Sequence, residues 1–147
     1  MANEQPALSS GEYEAVGRAL VDMVTACSSL PDTVTVDYQS VDGNDHLGVI
    51  PRPGGRYLWR DVVGCFGAQL PFDIVYQCNP VSNAERLSKE EMMNAVADHL
   101  ETMNYPALSD DRTITKVIMD STTYRTQAAP DGSVRYVRSG ALEYEKS

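Results

Sequence analysis

Basic residues are scarce in this chain of 147 residues. It has 12 Lys and Arg against 21 Asp and Glu, which gives a formal net charge of -9. Proteins that hold nucleic acid mainly through phosphate contacts need clustered Lys and Arg. The composition therefore argues against nucleic-acid binding as the main activity and nearly excludes sequence-independent binding of a duplex.

Long apolar runs, paired cysteines and an N-terminal signal are also missing. No stretch approaches the roughly 18 apolar residues of a membrane span, and residues 1–6 have neither a basic region nor an apolar run. The three cysteines, Cys27, Cys65 and Cys78, lack C-x-x-C spacing, and their odd number does not close into a disulfide framework. We expect buried cysteines in a reducing compartment, no membrane partner, and a protein that stays in a cytoplasm or in something assembled there.

The residues that are present have the composition of one globular domain. Hydrophobic residues make up 42% and charged residues 22% of the chain. A domain of this length buries roughly 68–70% of the surface that its unfolded chain exposes, so it needs no disulfide or metal to fold. We expect a single domain over residues 1–147, with a disordered lead at residues 1–8.

Two helices are predicted from capping-box spacing and apolar periodicity. Ser9 precedes Glu12 by three residues, and Ser88 precedes Glu91 by the same interval. The first helix should end near Leu30, because a residue that precedes proline is disfavoured in the helical region. The apolar positions are Tyr13, Val16, Leu20, Met23, Val24 and Cys27 in the first helix and Met93, Val96, Leu100 and Met103 in the second.

Alternation of apolar and polar residues predicts a largely antiparallel sheet. The clearest run spans residues 70–78, as in a strand with one buried face. We expect it to pair with residues 56–63 in a long hairpin, and residues 113–120 to pair with residues 134–144 in a second. The order of elements predicts an α+β fold in two layers, a mainly antiparallel β-sheet with two helices packed on one face.

Residues 39–56 interrupt this pattern. They follow a β-rich run at residues 33–38 and contain a turn signal at residues 42–45. The Pro-Arg-Pro-Gly-Gly segment at residues 51–55 cannot continue a β-ladder. We therefore expect residues 39–56 to form an exposed arm between strands.

Charge is distributed unevenly along the chain. Residues 1–50 and 79–111, which contain the predicted helices, carry -7 and -5, whereas residues 51–78 and 112–147, which contain the hairpins, carry +1 and +2. Helices on one side and sheet on the other would give two electrostatically different faces, which suits specific docking. Acidic helix faces that simply contact solvent are the alternative.

No pattern in the sequence predicts catalytic residues, a metal site or a cofactor. His46 lies in the arm, and we expect His99 at the surface or boundary of the second helix, not as a general base. No serine lies in a G-x-S-x-G elbow, and no cysteine has a partner that would lower its pKa. Residues 42–46 lack the glutamate of a calcium loop, and residues 51–56 lack the pattern of a phosphate loop. We expect a protein that is not an enzyme.

The candidate interaction residues centre on the single tryptophan. Trp59 is flanked by Arg56 and Arg60, and Trp and Arg are the residue types that most often anchor protein interfaces. A tryptophan in the core of a strand is the equally open alternative. The full set of candidate subunit or partner interface residues is Asp45, His46, Arg52, Arg56, Trp59 and Arg60.

Several segments together resemble a known family of virion proteins. Residues 56–64 and 69–76, which include a Leu-Pro-Phe step, are similar to strands of the minor capsid or tail terminator proteins of long-tailed phages (siphophages) that infect Gram-positive bacteria. A capped helix that ends over residues 97–103 and a final hairpin over residues 114–144 continue the likeness. It covers residues 47–144.

The resemblance implies a small α/β or α+β subunit that assembles into a homo-oligomer, a hexameric ring at the head-proximal end of the tail tube. Such a ring stops tube growth and docks onto the head, so its partners are the tail tube protein and the head-completion or connector protein. The resemblance also implies a place in the tail or neck of the virion after assembly in the host bacterial cytoplasm, with no cofactor and no enzymatic activity. DNA would pass through the channel without specific binding.

Two other functions stay open from the sequence. A small-molecule-binding or catalytic α+β domain would enclose a pocket near Tyr38, Tyr57 and Tyr76, although the chain offers no convergent set of His, Cys and carboxylates for it. Another structural component, such as a head-completion or tube protein, is not distinguished from a terminator by the sequence.

Overall fold

The computed structural model describes residues 8–41, 43–80, 82–120, 122–127, 130 and 132–147. No helix in these ranges is long and apolar enough to span a bilayer. In chain order the elements are α1 (Ser10–Thr25), β1 (Thr35–Tyr38), β2 (His46–Pro51), β3 (Arg56–Arg60), β4 (Phe66–Cys78), α2 (Asn83–Thr102), β5 (Ala107–Ser109), β6 (Arg112–Met119), β7 (Tyr124–Gln127) and β8 (Val134–Lys146).

Two long antiparallel strands form the centre of the sheet. β4 and β8 have 13 residues each and pair along their whole length, from Phe66 with Lys146 to Cys78 with Val134. Each carries two shorter strands end to end on its other edge, β2 and β3 on β4, and β6 and β7 on β8. β1 adds in parallel to β2, and β5 adds antiparallel to β6. The described strands thus form one mainly antiparallel sheet. The predicted pairing of residues 113–120 with the last strand is present, as β6 on β8. The other predicted hairpin is wrong in its register, because β3 pairs with residues 66–69 and β2 takes the same edge of β4 along residues 72–77.

The buried core lies between this sheet and the two helices. On β4, Leu70, Phe72, Ile74 and Tyr76 are at most 1% exposed, as the alternation predicted. Burial of one such side chain contributes roughly 1.5–3 kcal/mol. The predicted α+β fold is therefore confirmed. The helix residues buried against the sheet include Val16, Leu20, Met23 and Val24 of α1 and Met93, Val96, Ala97 and Leu100 of α2.

The ends of α1 agree only in part with the sequence pattern. The prediction of the start is confirmed, because Ser9 is the N-cap and its Oγ accepts a hydrogen bond from the N–H of Glu12 at 3.3 Å. The predicted end near Leu30 is wrong. The helix ends at Thr25, and residues 26–30 continue as short backbone turns.

The prediction that α2 begins at Ser88 is also wrong. Ser82 is the N-cap, its Oγ accepts from the N–H of Glu85 at 3.2 Å, and the helix starts at Asn83. Residues 83–88 are exposed to solvent. No apolar stripe therefore marks these first turns in the sequence, although Ser82 and Glu85 have capping-box spacing.

The prediction of an exposed arm at residues 39–56 is wrong in its central part. Strand β2 lies there, pairs with β4, and buries Leu47 and Val49 completely. A six-residue run between a turn signal and a proline looks too short for a core strand, and its partners come from elsewhere in the chain. Leu8 is also buried against the core, so it is not part of a disordered lead. The remainder of that predicted lead, residues 1–7, lies outside the described residues.

A polar cluster fastens the start of α1 to the sheet. The Glu12 carboxylate accepts two hydrogen bonds from the Arg112 guanidinium, at 2.9 and 2.6 Å, and one from the Tyr144 hydroxyl at 2.7 Å. Burial raises the pKa of Glu12, but the hydrogen bonds from Arg112 and Tyr144 outweigh it and hold that pKa below its ordinary value. This bidentate pair stabilises the docking of α1 on β6 and β8.

Acidic residues outnumber basic residues in the helices, and the reverse holds in the strands. The two helices contain eight acidic and three basic residues, whereas the strands contain four acidic and eight basic residues. The rest of the chain contains nine acidic residues and one basic residue. The predicted contrast between acidic helices and a mildly basic sheet is present, but the larger share of the acidic excess lies in the connections.

Candidate interaction surface

The hairpin of β3 and β4 ends in a turn that several groups hold in place. Asp61 Oδ1 accepts hydrogen bonds from the N–H of Val63 at 3.0 Å and the N–H of Cys65 at 2.9 Å. The N–H of Asp61 donates to the Cys65 carbonyl at 3.0 Å. Gly64 has a φ of 94°, where other residues are strained. The turn is therefore a preorganised projection from the end of the sheet.

This hairpin exposes a group of large apolar side chains. Val62 is 102% exposed and Val63 is 79% exposed. Leu58 and Trp59 are 40% and 43% exposed, at a register shift in the pairing of β3 with β4. Single exposed apolar residues are common on protein surfaces, but a cluster of them marks an interaction site. We call residues 58–63 the hairpin tip.

Trp59 lies on the outside of the sheet and not in the core. It is paired with Gly67 on β4, and a Cβ atom at Gly67 would lie 2.3 Å from the indole Nε1. The neighbouring Ala68 is fully buried on the helix side, so Trp59 and Gly67 lie on the opposite face. The alternative of a core tryptophan is therefore wrong, and the indole needs a glycine beneath it.

The hairpin also carries cations without acidic partners. Within the described residues, neither Arg56 nor Arg60 forms an ion pair, and the Arg60 guanidinium lies 4.7 Å from the centroid of the Tyr57 ring. Arg52 differs, because its Nε lies 3.3 Å from Asp73 Oδ1. Arg56 and Arg60 are therefore available to a carboxylate on another molecule.

Asp45 and His46 lie at the other end of β4 and are engaged within the chain. The Tyr76 hydroxyl donates to Asp45 Oδ1 at 2.8 Å, and His46 Nδ1 lies 2.6 Å from Asp37 Oδ2. Burial and this bond to Asp45 raise the pKa of Tyr76. His46 pairs with Gln77 and Arg60 with Phe66, so the two ends are about 36 Å apart at 3.3 Å per residue. The six candidate residues do not form one patch.

A groove beside α1 was not predicted from the sequence. Its volume is 530 Å³, and its walls are formed by Glu14, Arg18, Val21, Asp22 and Tyr38. Glu14 and Arg18 form an ion pair at 2.6 Å, whereas Asp22 has no ion-pair partner among the described residues. The spacing of the α1 residues in the sequence does place them together on the helix face opposite the apolar stripe. No sequence rule places Tyr38 beside them. We call this the α1 groove.

The tyrosines of the alternative binding pocket do not converge. Tyr38 lines the α1 groove, Tyr57 packs against the Phe66 ring at 4.9 Å, and Tyr76 is completely buried. Tyr57 pairs with Ala68 of β4, so about 26 Å of strand separates it from Tyr76.

Other candidate reactive groups are also held by the fold. Cys27 and Cys78 are buried as predicted, and burial raises the pKa of Cys78 to about 11, while Cys65 is only half-buried. His99 Nε2 lies 3.0 Å from the Met23 carbonyl oxygen, a contact between the two helices. Among the residues that the structure describes, no three His, Cys, Asp or Glu side chains are grouped as metal ligands would be. The hairpin tip and the α1 groove therefore remain as the candidate interaction surfaces.

The fold of this chain is similar to those of chains in solved structures. No protein-family model matches the chain, and no curated protein does. The fold is similar to that of a chain in a structure titled "Virion of native gene transfer agent (GTA) particle", with a TM-score of 0.63 and 17% sequence identity. The match covers 93% of this chain and 99% of that chain. At this identity the likeness establishes a shared fold over nearly the whole length of both.

Proposed function

We propose that the chain is a non-enzymatic structural protein of a virion. The observation that carries the proposal is the end-to-end likeness to a chain of a gene transfer agent virion, with 93% of one and 99% of the other aligned. Because the likeness leaves almost no part of either chain unmatched, it is not a shared fragment of two different architectures. The sequence resemblance to phage tail terminators over residues 47–144 supports the same class of protein.

Within the virion, we propose that the protein forms a ring of six copies at the head-proximal end of the tail tube.

 The ring would end tube growth and join the tail to the head connector. A closed ring uses head-to-tail contacts, so each subunit must present two different and complementary surfaces. The hairpin tip, with its exposed apolar residues and Arg60, which forms no ion pair within the described residues, and the acidic α1 groove are two such surfaces.

The charge distribution fits a ring through which DNA passes. The helices and the connections are acidic, whereas the strands are mildly basic. If the helices or connections line the channel, the DNA phosphates are repelled from its wall and the DNA slides through without specific binding. A charge map on an assembled ring tests this part, and a strongly basic channel would contradict it.

The mass of the protein in solution and on tail tubes tests the proposal. Native mass spectrometry should give six copies of the 16.1 kDa chain, about 97 kDa, and negative-stain images should show rings, alone or at one end of the tubes. A monomer at every concentration that binds neither tubes nor connectors would contradict the proposal. Rings found inside the head or along the tube would instead assign the chain to another structural component.

A further inference from the structure

Arg60 of the hairpin tip is opposite in charge to Asp22 of the α1 groove, and both surfaces include apolar side chains. We propose that the hairpin tip of one copy inserts into the α1 groove of a second copy. This inference rests on the proposed function, because repeated contacts of this kind build the ring.

The two surfaces cannot meet within one subunit. Tyr38, at the groove, pairs through Val49 with Ile74 on β4, whereas Arg60 of the hairpin tip pairs with Phe66. Eight residues of strand, about 26 Å, separate these positions. The hydrogen bonds of Asp61 hold the turn in its extended position, so it does not fold back. A contact between the tip and the groove is therefore a contact between two copies.

Charge favours this occupant of the groove. Arg56 and Arg60 lack carboxylate partners, and Asp22 lacks a basic partner, among the described residues. Asp22 lies near the end of α1, where the last turn contains no basic residue to offset the negative end of the helix dipole. Glu14 and Arg18 neutralise each other, so the groove keeps a net negative charge that an arginine of the tip can pair with.

Apolar burial supplies the second part of the contact. Val62 and Val63 project fully or almost fully into solvent, and the groove offers the side chains of Val21 and Tyr38. The groove has a volume of 530 Å³, which leaves room for the turn of a hairpin. Burying the valines there removes the largest exposed apolar group of the hairpin from water.

The contact is head-to-tail, because the tip and the groove are different surfaces. Each copy donates one tip and accepts one tip. A dimer joined by a single contact leaves a tip and a groove unfilled, so further copies add until the series closes. The geometry thus links one local contact to a closed ring.

The main test replaces both tip valines with aspartate. In V62D/V63D the dissociation constant between copies, measured by sedimentation velocity, should rise by about 100-fold or more, because two apolar anchors become charges that face Asp22. The matched control is Leu87→Asp on α2, an exposed apolar residue away from both surfaces, which should leave assembly unchanged. The thermal unfolding curves of both variants should match that of the wild type.

A charge exchange and a cross-link test the same contact in two further ways. Arg60→Glu should weaken assembly by about 10-fold, and Asp22→Arg in the same chain should restore it. In a Cys65→Ser background, Val63→Cys combined with Val21→Cys should give disulfide-linked multimers on mild oxidation, whereas Leu87→Cys with Val21→Cys should not.

The outcomes separate this inference from the proposed function. If wild-type rings form and V62D/V63D assembles equally well, the hairpin contact is overturned and the ring proposal stands. If the wild type forms no rings, alone or on tubes, the ring proposal is overturned. In that case the Val21 to Val63 cross-link decides the hairpin contact, which disulfide-linked copies would support and their absence would overturn.

Discussion

Similar residues lie near the two ends of β4, but the fold gives their polar groups different contacts. At the β2 end, Asp45 accepts from Tyr76 and His46 contacts Asp37, so the polar groups are satisfied inside the chain. At the β3 end, Arg56 and Arg60 have no carboxylate partner among the described residues. A charged residue near a Gly or Pro turn is therefore a candidate for an interaction surface only where the fold does not place a partner for it within the same chain.

The largest expected effect tests whether the β2 end belongs to the core. Leu47→Ala should lower the free energy of unfolding by about 3 kcal/mol, because the Leu47 side chain is completely buried and its truncation leaves a cavity in the core. Val62→Ala at the other end should change it by less than about 0.5 kcal/mol. Urea denaturation of both variants measures the difference. Equal free energies of unfolding for the two variants would indicate that Leu47 is not buried, as expected if β2 were part of an exposed arm.

A smaller loss is expected at the cluster that fastens α1. Glu12→Gln should lower the free energy of unfolding at pH 7 by about 2 kcal/mol, because the bidentate bond to Arg112 loses its charge. Glu14→Gln is the matched control, since the Glu14 to Arg18 pair is exposed. If Glu14→Gln costs as much as Glu12→Gln, the cluster does not fasten the helix.

The same cluster gives a pH dependence with a definite sign. The pKa of Glu12 is lower in the folded protein than in the unfolded chain. Its contribution to stability is therefore complete above the unfolded value of about 4.3 and is lost as the pH falls through the lower folded value. Denaturation curves from pH 7 to pH 3 should show a smaller loss of stability for Glu12→Gln than for the wild type. Parallel curves would contradict this assignment.

The smallest expected effects compare single polar contacts at the two ends. Tyr76→Phe should cost about 1 kcal/mol, because it removes the hydrogen bond to Asp45. Arg60→Ala should change the free energy of unfolding by less than about 0.5 kcal/mol, since its guanidinium lies over the Tyr57 ring at the surface and forms no ion pair within the described residues. Thermal unfolding of both variants checks the order, and a larger cost for Arg60→Ala would reverse the comparison.

The sequence predicted correctly those elements whose own residues contain the whole pattern, such as an alternation of apolar residues or a helix cap. The alternation from Leu70 to Cys78 predicted the buried face of β4, and the Ser9 cap predicted the start of α1. The failures at β2 and at the start of α2 had a common cause. β2 is short and is buried by partners distant in sequence, and the first turns of α2 contact solvent, so neither shows an apolar period of its own.

The candidate site was predictable in part. The Trp and Arg residues of β3 follow from composition, but their exposure depends on Gly67, which lies opposite Trp59 in the sheet. Asp45 and His46 looked equally available, and only the fold shows Tyr76 and Asp37 beside them. The α1 groove needs Tyr38 from another element, and no helical spacing can supply it.

Cryo-electron microscopy of tail tubes assembled with this protein tests the central claim most directly. The account predicts one closed ring of this chain at the head-proximal end of each tube, with the tip valines of every copy buried against Val21 of its neighbour. Tubes that carry no such ring, while the protein remains monomeric in the same sample, would contradict it.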